Sequence, residues 1–159
     1  MSYQAVILTV SDSCAAGTRT DTSGPAIRGM LENAGFAVQA MQTVPDEEGQ
    51  ISAAIVHACD ILQADLVVTT GGTGLSPCDV TPEATLAVLD REIRAIPVAM
   101  WVEGLKSTPR AMLSRAVAGI RGHTLVLNVP GSEKAARENL SAVVATLDHA
   151  LRMLAGGGH

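Results

Sequence analysis

Short apolar runs alternate with helical patterns along most of this chain, and this alternation restricts the folds open to it. Four runs have the length and branched residues of buried strands, at residues 5–10, 36–44, 66–70 and 124–129. Helical patterns lie between or after these runs, with helices expected from Gly24-Pro25 to Gly35, from Pro45-Asp46 onward, from Pro82 to about residue 89, and along residues 140–154. Such an alternation predicts right-handed βαβ units, which build a mostly parallel sheet with helices on both faces.

The second half of the chain adds an expected irregularity at one edge of the sheet. Residues 94–122 have no clear period, but residues 116–120, the Arg121-Gly122 pair and the run from residue 124 are typical of a hairpin. We therefore predict an α/β fold of three layers, in which a mostly parallel sheet with an antiparallel edge hairpin lies between two layers of helices. We expect a single domain over residues 4–155 and a flexible, glycine-rich tail at residues 156–159.

The composition favours an aliphatic core and a reducing compartment. The chain has 159 residues, 47% of them hydrophobic and only 2% aromatic. No run approaches the roughly 18 apolar residues that span a bilayer, and no basic leader precedes the first apolar run. Cys14, Cys59 and Cys78 are widely spaced, which argues against a disulfide framework or a zinc site. We expect a cytoplasmic protein without membrane contacts.

Charge is unevenly distributed along the chain. The net charge of −5 argues against non-specific binding of nucleic acid. Residues 1–90 carry two basic and eleven acidic side chains, whereas residues 91–137 carry eight basic and three acidic ones. Two interpretations stay open: complementary surfaces between subunits, or a second half that supplies cations to an anionic ligand held by loops of the first.

Three predicted strands end in loops rich in glycine and hydroxyl groups. They are Ser11-Asp12-Ser13, residues 71–79 and Pro130-Gly131-Ser132. Ligands of open α/β sheets bind at the carboxyl ends of strands, and the N-termini of the helices that follow can hold phosphate groups. The GGTG run is neither the lysine-bearing P-loop nor a GxGxxG fingerprint. On its own, this run also suits a simple tight turn.

Seven short motifs occur in order between residues 5 and 154. They are VSDS at 10–13, DTSG at 21–24, VPDE at 44–47, TTGGTG at 69–74, DVTPEAT at 79–85, TPRAMLSR at 108–115 and PGS at 130–132. Together they resemble the MoaB/Mog family of molybdenum-cofactor biosynthesis proteins and the matching domain of gephyrin. The resemblance implies transfer of AMP from ATP to the terminal phosphate of molybdopterin, with Mg²⁺ required and pyrophosphate released. It also implies a homotrimer, with a hexamer as a variant, and a possible molybdenum insertase partner.

The resemblance also assigns roles to individual residues. Asp46 and Asp79 would be catalytic and hold the Mg²⁺, which prefers one or two carboxylates together with phosphate oxygens. The nucleotide-binding residues would be Ser11, Asp12, Gly71, Gly72, Thr73 and Gly74, and the pterin-binding residues would be Ser13, Ser114, Arg115, Gly131 and Ser132. Cys78 departs from the family pattern, which often has arginine or lysine before the loop aspartate.

Several of these residues also have purely structural interpretations. Asp46 follows a proline and suits a helix N-cap, whereas Asp79 lies too early for that role, which Thr81 fits better. Arg115 could be an ordinary solvated arginine. The four histidines, His57, His123, His149 and His159, are scattered and suit surface or packing positions, and the methionines suit gaps in the core.

Two other functions compete with the adenylyltransferase. One is a non-catalytic trimer that binds the pterin without converting it. The other is a nucleotide hydrolase on the same fold, related to competence-damage proteins. The presence of both Asp46 and Asp79 favours the enzyme over the first, and the TPRAMLSR and PGS motifs favour it over the second.

Overall fold

The structure is a computed structural model that describes residues 2–157 and contains a six-stranded sheet. The strands are β1 (Gln4–Val10), β2 (Ala37–Val44), β3 (Leu66–Thr70), β4 (Arg91–Glu92), β5 (Ala118–Arg121) and β6 (Thr124–Val129). Their spatial order is β2-β1-β3-β6-β5-β4. Strands β2, β1, β3 and β6 run parallel to one another, and β5 pairs antiparallel with both β6 and β4. This topology confirms the mostly parallel sheet with an antiparallel edge hairpin.

Within residues 2–157, six α-helices connect or flank these strands. They are α1 (Asp12–Ala15), α2 (Ser23–Asn33), α3 (Glu48–Val56), α4 (Thr81–Leu86), α5 (Ala95–Leu105) and α6 (Glu133–Leu154). A π-helical turn, His57–Ile61, continues α3, and a 3₁₀ turn, Pro109–Leu113, follows α5. Among residues 2–157 we find no helix that is both long enough and apolar enough to cross a membrane.

Successive residues of the central strands face two different helical layers. Ala5 and Ile7 of β1 pack in a core with α2, α5 and α6, whereas Val6 and Leu8 pack in a second core with α3 and α4. This alternation follows from the two-residue period of a strand. Because both faces of the parallel strands are buried, their sequences are continuous apolar runs. The two cores confirm the three-layer architecture.

The stripe predicted for the last helix lies against the sheet. Leu140, Val143, Leu147 and Leu151 of α6 are buried in the first core. Ser132 caps this helix, because its hydroxyl accepts a hydrogen bond from the N–H of Ala135 at 3.2 Å. The Pro130–Ser132 loop is therefore fixed at the carboxyl end of β6.

The expected helix after Pro45 begins later than the sequence indicated. Glu47 is the N-cap of α3, and its side chain accepts a hydrogen bond from the N–H of Gln50 at 3.0 Å. Asp46 therefore lies outside the helix, and its interpretation as a cap is wrong. Its carboxylate is left for contacts with the first loop.

The expectation for Thr81 as a cap is also wrong. Val80 is the N-cap of α4 and Thr81 is the first helical residue. The Thr81 hydroxyl is buried and has no hydrogen-bond partner within the described part of the chain. The helix ends at Leu86, three residues earlier than predicted.

The segment without a clear period contains α5. Its sequence, AIPVAMWVEGL, is apolar at nearly every position, so no polar face marks the helix. Met100, a residue of α5, is buried, as expected for a core methionine, but Met41, Met112 and Met153 are 37%, 66% and 42% exposed and do not fill the core.

The tail is described only in part. The N–H groups of Gly156 and Gly157 donate to the carbonyls of Met153 and Arg152 at the end of α6. Residues 158 and 159, with the expected surface histidine at position 159, lie outside the described residues.

Candidate functional site

The carboxyl ends of β1, β3 and β6 open into one cavity of about 790 Å³. These strands are parallel neighbours in the sheet, so their ends meet at the same edge. The cavity is lined by the three strand-end loops, by the start of α6, and by the segment from the end of α5 to residue 114.

Two glycines in the β3 loop allow main-chain segments to approach closely. Gly71 and Gly72 have φ angles of +102° and +68°, in the left-handed region that favours glycine. A Cβ on Gly71 would collide with the carbonyl oxygen of Val10, and a Cβ on Gly131 would lie 3.2 Å from the Gly71 Cα. The glycines thus bring the three loops into direct contact.

The main-chain N–H groups of the glycine loop differ in whether they have a hydrogen-bond acceptor. The Gly71 N–H donates to the Val129 carbonyl at 3.1 Å, so it extends the sheet and is not free for a phosphate, contrary to expectation. The N–H groups of Gly72, Thr73 and Gly74 donate to no acceptor that we find among residues 2–157. These three groups lie on the cavity wall and are available to an anion.

Asp46 joins the β2 loop to the first loop through a reciprocal pair of hydrogen bonds. Its carboxylate accepts from the N–H of Asp12 at 3.0 Å, and its own N–H donates to the Asp12 carboxylate at 2.8 Å. Ser11 caps the short helix α1 and its hydroxyl lies 3.2 Å from that of Ser13. The VSDS and VPDE motifs therefore form one structural unit.

Asp79 lies at the C-terminal end of the glycine-rich loop, residues 71–79. Its carboxylate accepts from the N–H of Ser76 at 3.0 Å, and a Cβ on Gly74 would lie 2.9 Å from that same oxygen. Asp79 and Asp46 both line the cavity.

Three carboxylates repel one another at this edge. Partial burial raises the pKa of Asp46 above its ordinary value, and the negative charges of Asp12 and Asp79 raise it further, although the Asp12 N–H acts in the opposite direction. Among the described residues, no group of three or more His, Cys, Asp and Glu side chains is arranged to hold a metal by itself. A cation at Asp46 and Asp79 would therefore need further oxygen ligands, from water or from a bound substrate.

The residues predicted for the pterin side divide into two groups. Ser114, Gly131 and Ser132 line the cavity. Ser13 and Arg115 do not, and neither does Asp12 from the nucleotide group. Each contacts a residue that does: Asp12 binds Asp46, Ser13 contacts Ser11, and Arg115 holds the glycine loop.

Sequence reasoning missed an aspartate on the cavity wall. Asp21 accepts hydrogen bonds from the Thr9 hydroxyl at 2.7 Å and the Gly24 N–H at 3.0 Å. Because a Cβ on Gly24 would collide with the Asp21 carboxylate, the DTSG motif needs its glycine. The sequence showed the DTSG motif, but it did not indicate that Asp21 lies on the cavity wall.

Basic side chains on the cavity wall were also missed as individual residues. Arg19, Arg110 and Lys134 all line it, and all three are exposed. Arg110 and Lys134 come from the basic second half of the chain, while the acidic loops come from the first. The charge distribution was the signal that could have found Arg110 and Lys134; it gave no signal for Arg19.

Comparison with known proteins relates this arrangement to a family. A family described as a probable molybdopterin binding domain matches residues 6–149. A crystal structure of the molybdopterin biosynthesis enzyme MoaB from Thermus thermophilus is 49% identical, with a TM-score of 0.92 and coverage of 97% of each chain. The chain belongs to the MoaB/Mog family.

Relatives within the MoaB/Mog family differ in length. The molybdopterin adenylyltransferase of Helicobacter pylori strain J99 is 37% identical over 94% of this chain and 86% of its own length. The molybdenum cofactor biosynthesis bifunctional protein of Chlorobaculum tepidum is 42% identical, but the match covers only 49% of that protein. The chain spans 25% and 22% of two other curated relatives. It thus covers half or less of the length of these three longer relatives.

Alanine at Gly72 is expected to lower the free energy of unfolding more than alanine at Gly122. The two glycines have similar positive φ angles, +68° and +59°, so each alanine carries about 1–2 kcal/mol of left-handed strain. A Cβ at Gly122 meets nothing within 4 Å, whereas one at Gly72 would collide with the Thr81 hydroxyl and lie 3.3 Å from the Asp46 carboxylate. Urea denaturation should show an additional loss of about 1 kcal/mol or more for Gly72→Ala. Equal losses would contradict this packing.

Proposed function

We propose that this protein is a Mg²⁺-dependent molybdopterin adenylyltransferase, which transfers AMP from ATP to the terminal phosphate of molybdopterin. One observation carries the proposal: three free N–H groups of a glycine loop, two flanking carboxylates and three basic side chains share one cavity. The protein's membership of the MoaB/Mog family supports the same reaction, because a relative in this family is named molybdopterin adenylyltransferase.

The glycine loop would bind the nucleotide phosphates. The N–H groups of Gly72, Thr73 and Gly74 offer hydrogen bonds to phosphate oxygens without any side chain in between. Ser11 adds a hydroxyl from the neighbouring loop on the same wall. Positioning of this kind supplies much of the catalysis in phosphoryl and nucleotidyl transfer, because reactants held in line need little further help from the protein.

Asp46 and Asp79 fit a magnesium ion. Their mutual repulsion, which contributes to the raised pKa of Asp46, would be relieved by a bound divalent cation. Two carboxylates leave the remaining positions of Mg²⁺ for water and phosphate oxygens, as this ion prefers. When bound, the ion would lower the repulsion between the two anionic substrates and stabilise the charge that develops during transfer.

The reaction joins two phosphates in a single displacement. An oxygen of the pterin phosphate forms a bond to the α-phosphorus of ATP, and the bond from that phosphorus to the bridging oxygen breaks. Pyrophosphate leaves with the bonding electrons, and the product is adenylylated molybdopterin. Arg110 and Lys134, exposed cations on the cavity wall, are placed to attract both anionic substrates.

The pterin would bind against Ser114, Gly131 and Ser132, which line the cavity. The Ser132 hydroxyl caps α6, so an anion beside it also meets the N-terminus of a long helix. The orphan N–H groups and the dipole of α6 favour a phosphate at this place.

Asp79→Asn is expected to reduce adenylyl transfer by on the order of a hundredfold or more while leaving the fold intact. Asparagine can still accept the hydrogen bond from the Ser76 N–H but lacks the charge that the metal needs. The measurement is the single-turnover rate with molybdopterin, ATP and saturating Mg²⁺, together with the melting temperature and molybdopterin affinity, which should both be unchanged.

Asp90→Asn is the matched control for this change. Asp90 also accepts a main-chain hydrogen bond, from the N–H of Gly122 at 2.7 Å, but lies outside the cavity wall. A fully active Asp79→Asn protein would contradict the metal role. A wild-type protein that binds molybdopterin but forms no adenylylated product would favour the non-catalytic binding trimer instead.

The homotrimer is also part of the proposal, and one exposed face of α5 supports self-association. Val98, Val102 and Leu105 are 49%, 56% and 45% exposed and lie on one stripe of the helix. The neighbouring Met112 and Leu113 are also exposed, at 66% and 48%. Contact with second copies of the chain would bury this surface.

Light scattering should therefore give a mass of three times 16.4 kDa at micromolar concentration. Val102→Glu should dissociate the trimer because it places a charge in the apolar face. Ile61→Glu is the control: Ile61 is 69% exposed, but it lies on the π-helical turn in the opposite layer. A monomeric wild type would contradict the trimer, and an intact Val102→Glu trimer would place the interface elsewhere.

We also propose that the protein works in the cytoplasm and with a molybdenum insertase. Cys14, Cys59 and Cys78 are free thiols, as expected in a reducing cytoplasm. A molybdenum insertase partner fits a domain whose longer relatives include a bifunctional protein.

A further inference from the structure

Arg115 is engaged by the protein itself at all three guanidinium nitrogens. Nε donates to the carbonyl of Gly74 at 2.8 Å, Nη2 to the carbonyl of Asp79 at 2.7 Å, and Nη1 to the carboxylate of Glu83 at 2.7 Å. Its main-chain N–H donates to the carbonyl of Thr73 at 2.8 Å. This arginine therefore makes four hydrogen bonds to the loop between β3 and α4 and to the helix that follows.

The two carbonyls lie at the two ends of an exposed stretch. Residues 75–78, between Gly74 and Asp79, are all exposed. A planar guanidinium that binds both ends fixes the separation of Gly74 and Asp79, which a flexible ammonium could not do as well. The Asp79 carboxylate is consequently held close to Gly74, where a Cβ would lie only 2.9 Å from its oxygen.

Glu83 completes this arrangement by holding the guanidinium from the far side. The hydrogen bond from Arg115 keeps the pKa of Glu83 below its ordinary value, so the pair is charged at neutral pH. Arg115 does not line the cavity, whereas Arg110 and Lys134 do. The cations available to a substrate phosphate are thus other side chains.

We propose that Arg115 is a positioning residue for nucleotide and metal binding rather than a ligand of the pterin. It holds the Asp79 carboxylate and the free N–H groups of Gly72–Gly74 in a fixed relation, so it determines how tightly ATP binds together with Mg²⁺. This inference rests on the proposed function, because it takes the nucleotide and the metal as the ligands of that loop.

Arg115→Ala is expected to weaken binding of ATP with Mg²⁺ by on the order of tenfold or more, because several charged hydrogen bonds that order the loop are lost. Binding is measured by calorimetry with α,β-methylene-ATP in the presence of Mg²⁺, and again with Mn²⁺ by electron paramagnetic resonance. The affinity for molybdopterin, measured without nucleotide, should stay within about twofold. In the transfer assay, KM for ATP should rise while KM for molybdopterin does not.

Arg121→Ala is the matched control. Arg121 makes the same kind of contacts, two to the carboxylate of Asp60 and one to the carbonyl of Val88, and it also lies outside the cavity wall. Its loss should lower the melting temperature without changing the affinity for the nucleotide. Equal losses of nucleotide affinity in both variants would show a general structural effect and overturn the proposal.

Arg115→Lys keeps the experiment decisive even if the alanine variant fails to fold. Lysine retains the charge but cannot bind both carbonyls in one plane, so nucleotide affinity should fall while pterin affinity persists. A loss of molybdopterin affinity, or unchanged nucleotide affinity, would overturn the proposal. A wild-type protein that binds no nucleotide would instead refute the proposed function.

Discussion

Gly71 lies where three strand-end loops meet, with the Val10 carbonyl on one side and Gly131 on the other. Its N–H continues the hydrogen bonding of β3 with β6, so the sheet extends directly into the cavity wall. Side chains at these positions would separate the loops. The close main-chain contact therefore lets residues at the ends of β1, β3 and β6 line a single cavity.

The site is held together against electrostatic repulsion. Partial burial raises the pKa of Asp46, and the neighbouring negative charges of Asp12 and Asp79 raise it to a smaller extent. The reciprocal hydrogen bonds between Asp12 and Asp46 hold the loops in place despite this repulsion.

Sequence alone predicted the features that depend on local pattern. The strands of the parallel sheet follow from short apolar runs and the stripe of α6 from its helical period, and the resemblance to the MoaB/Mog family implied that Asp46 and Asp79 share a site. Helix α5 escaped detection because it is apolar at nearly every position and so has no period to read. The partners of Arg115 escaped because they lie 32 to 41 residues away in the chain, and only the folded loop brings them to the guanidinium.

We propose that the free N–H groups of Gly72, Thr73 and Gly74 bind the nucleotide phosphates beside a metal held by Asp46 and Asp79. Titration of ¹⁵N-labelled protein with α,β-methylene-ATP, followed by amide resonances, tests it most directly. We predict the largest shifts at these three residues, and only when Mg²⁺ is present. The largest shifts in the shallow groove lined by Gln42 and His57, or shifts at the loop that ignore Mg²⁺, would contradict the account.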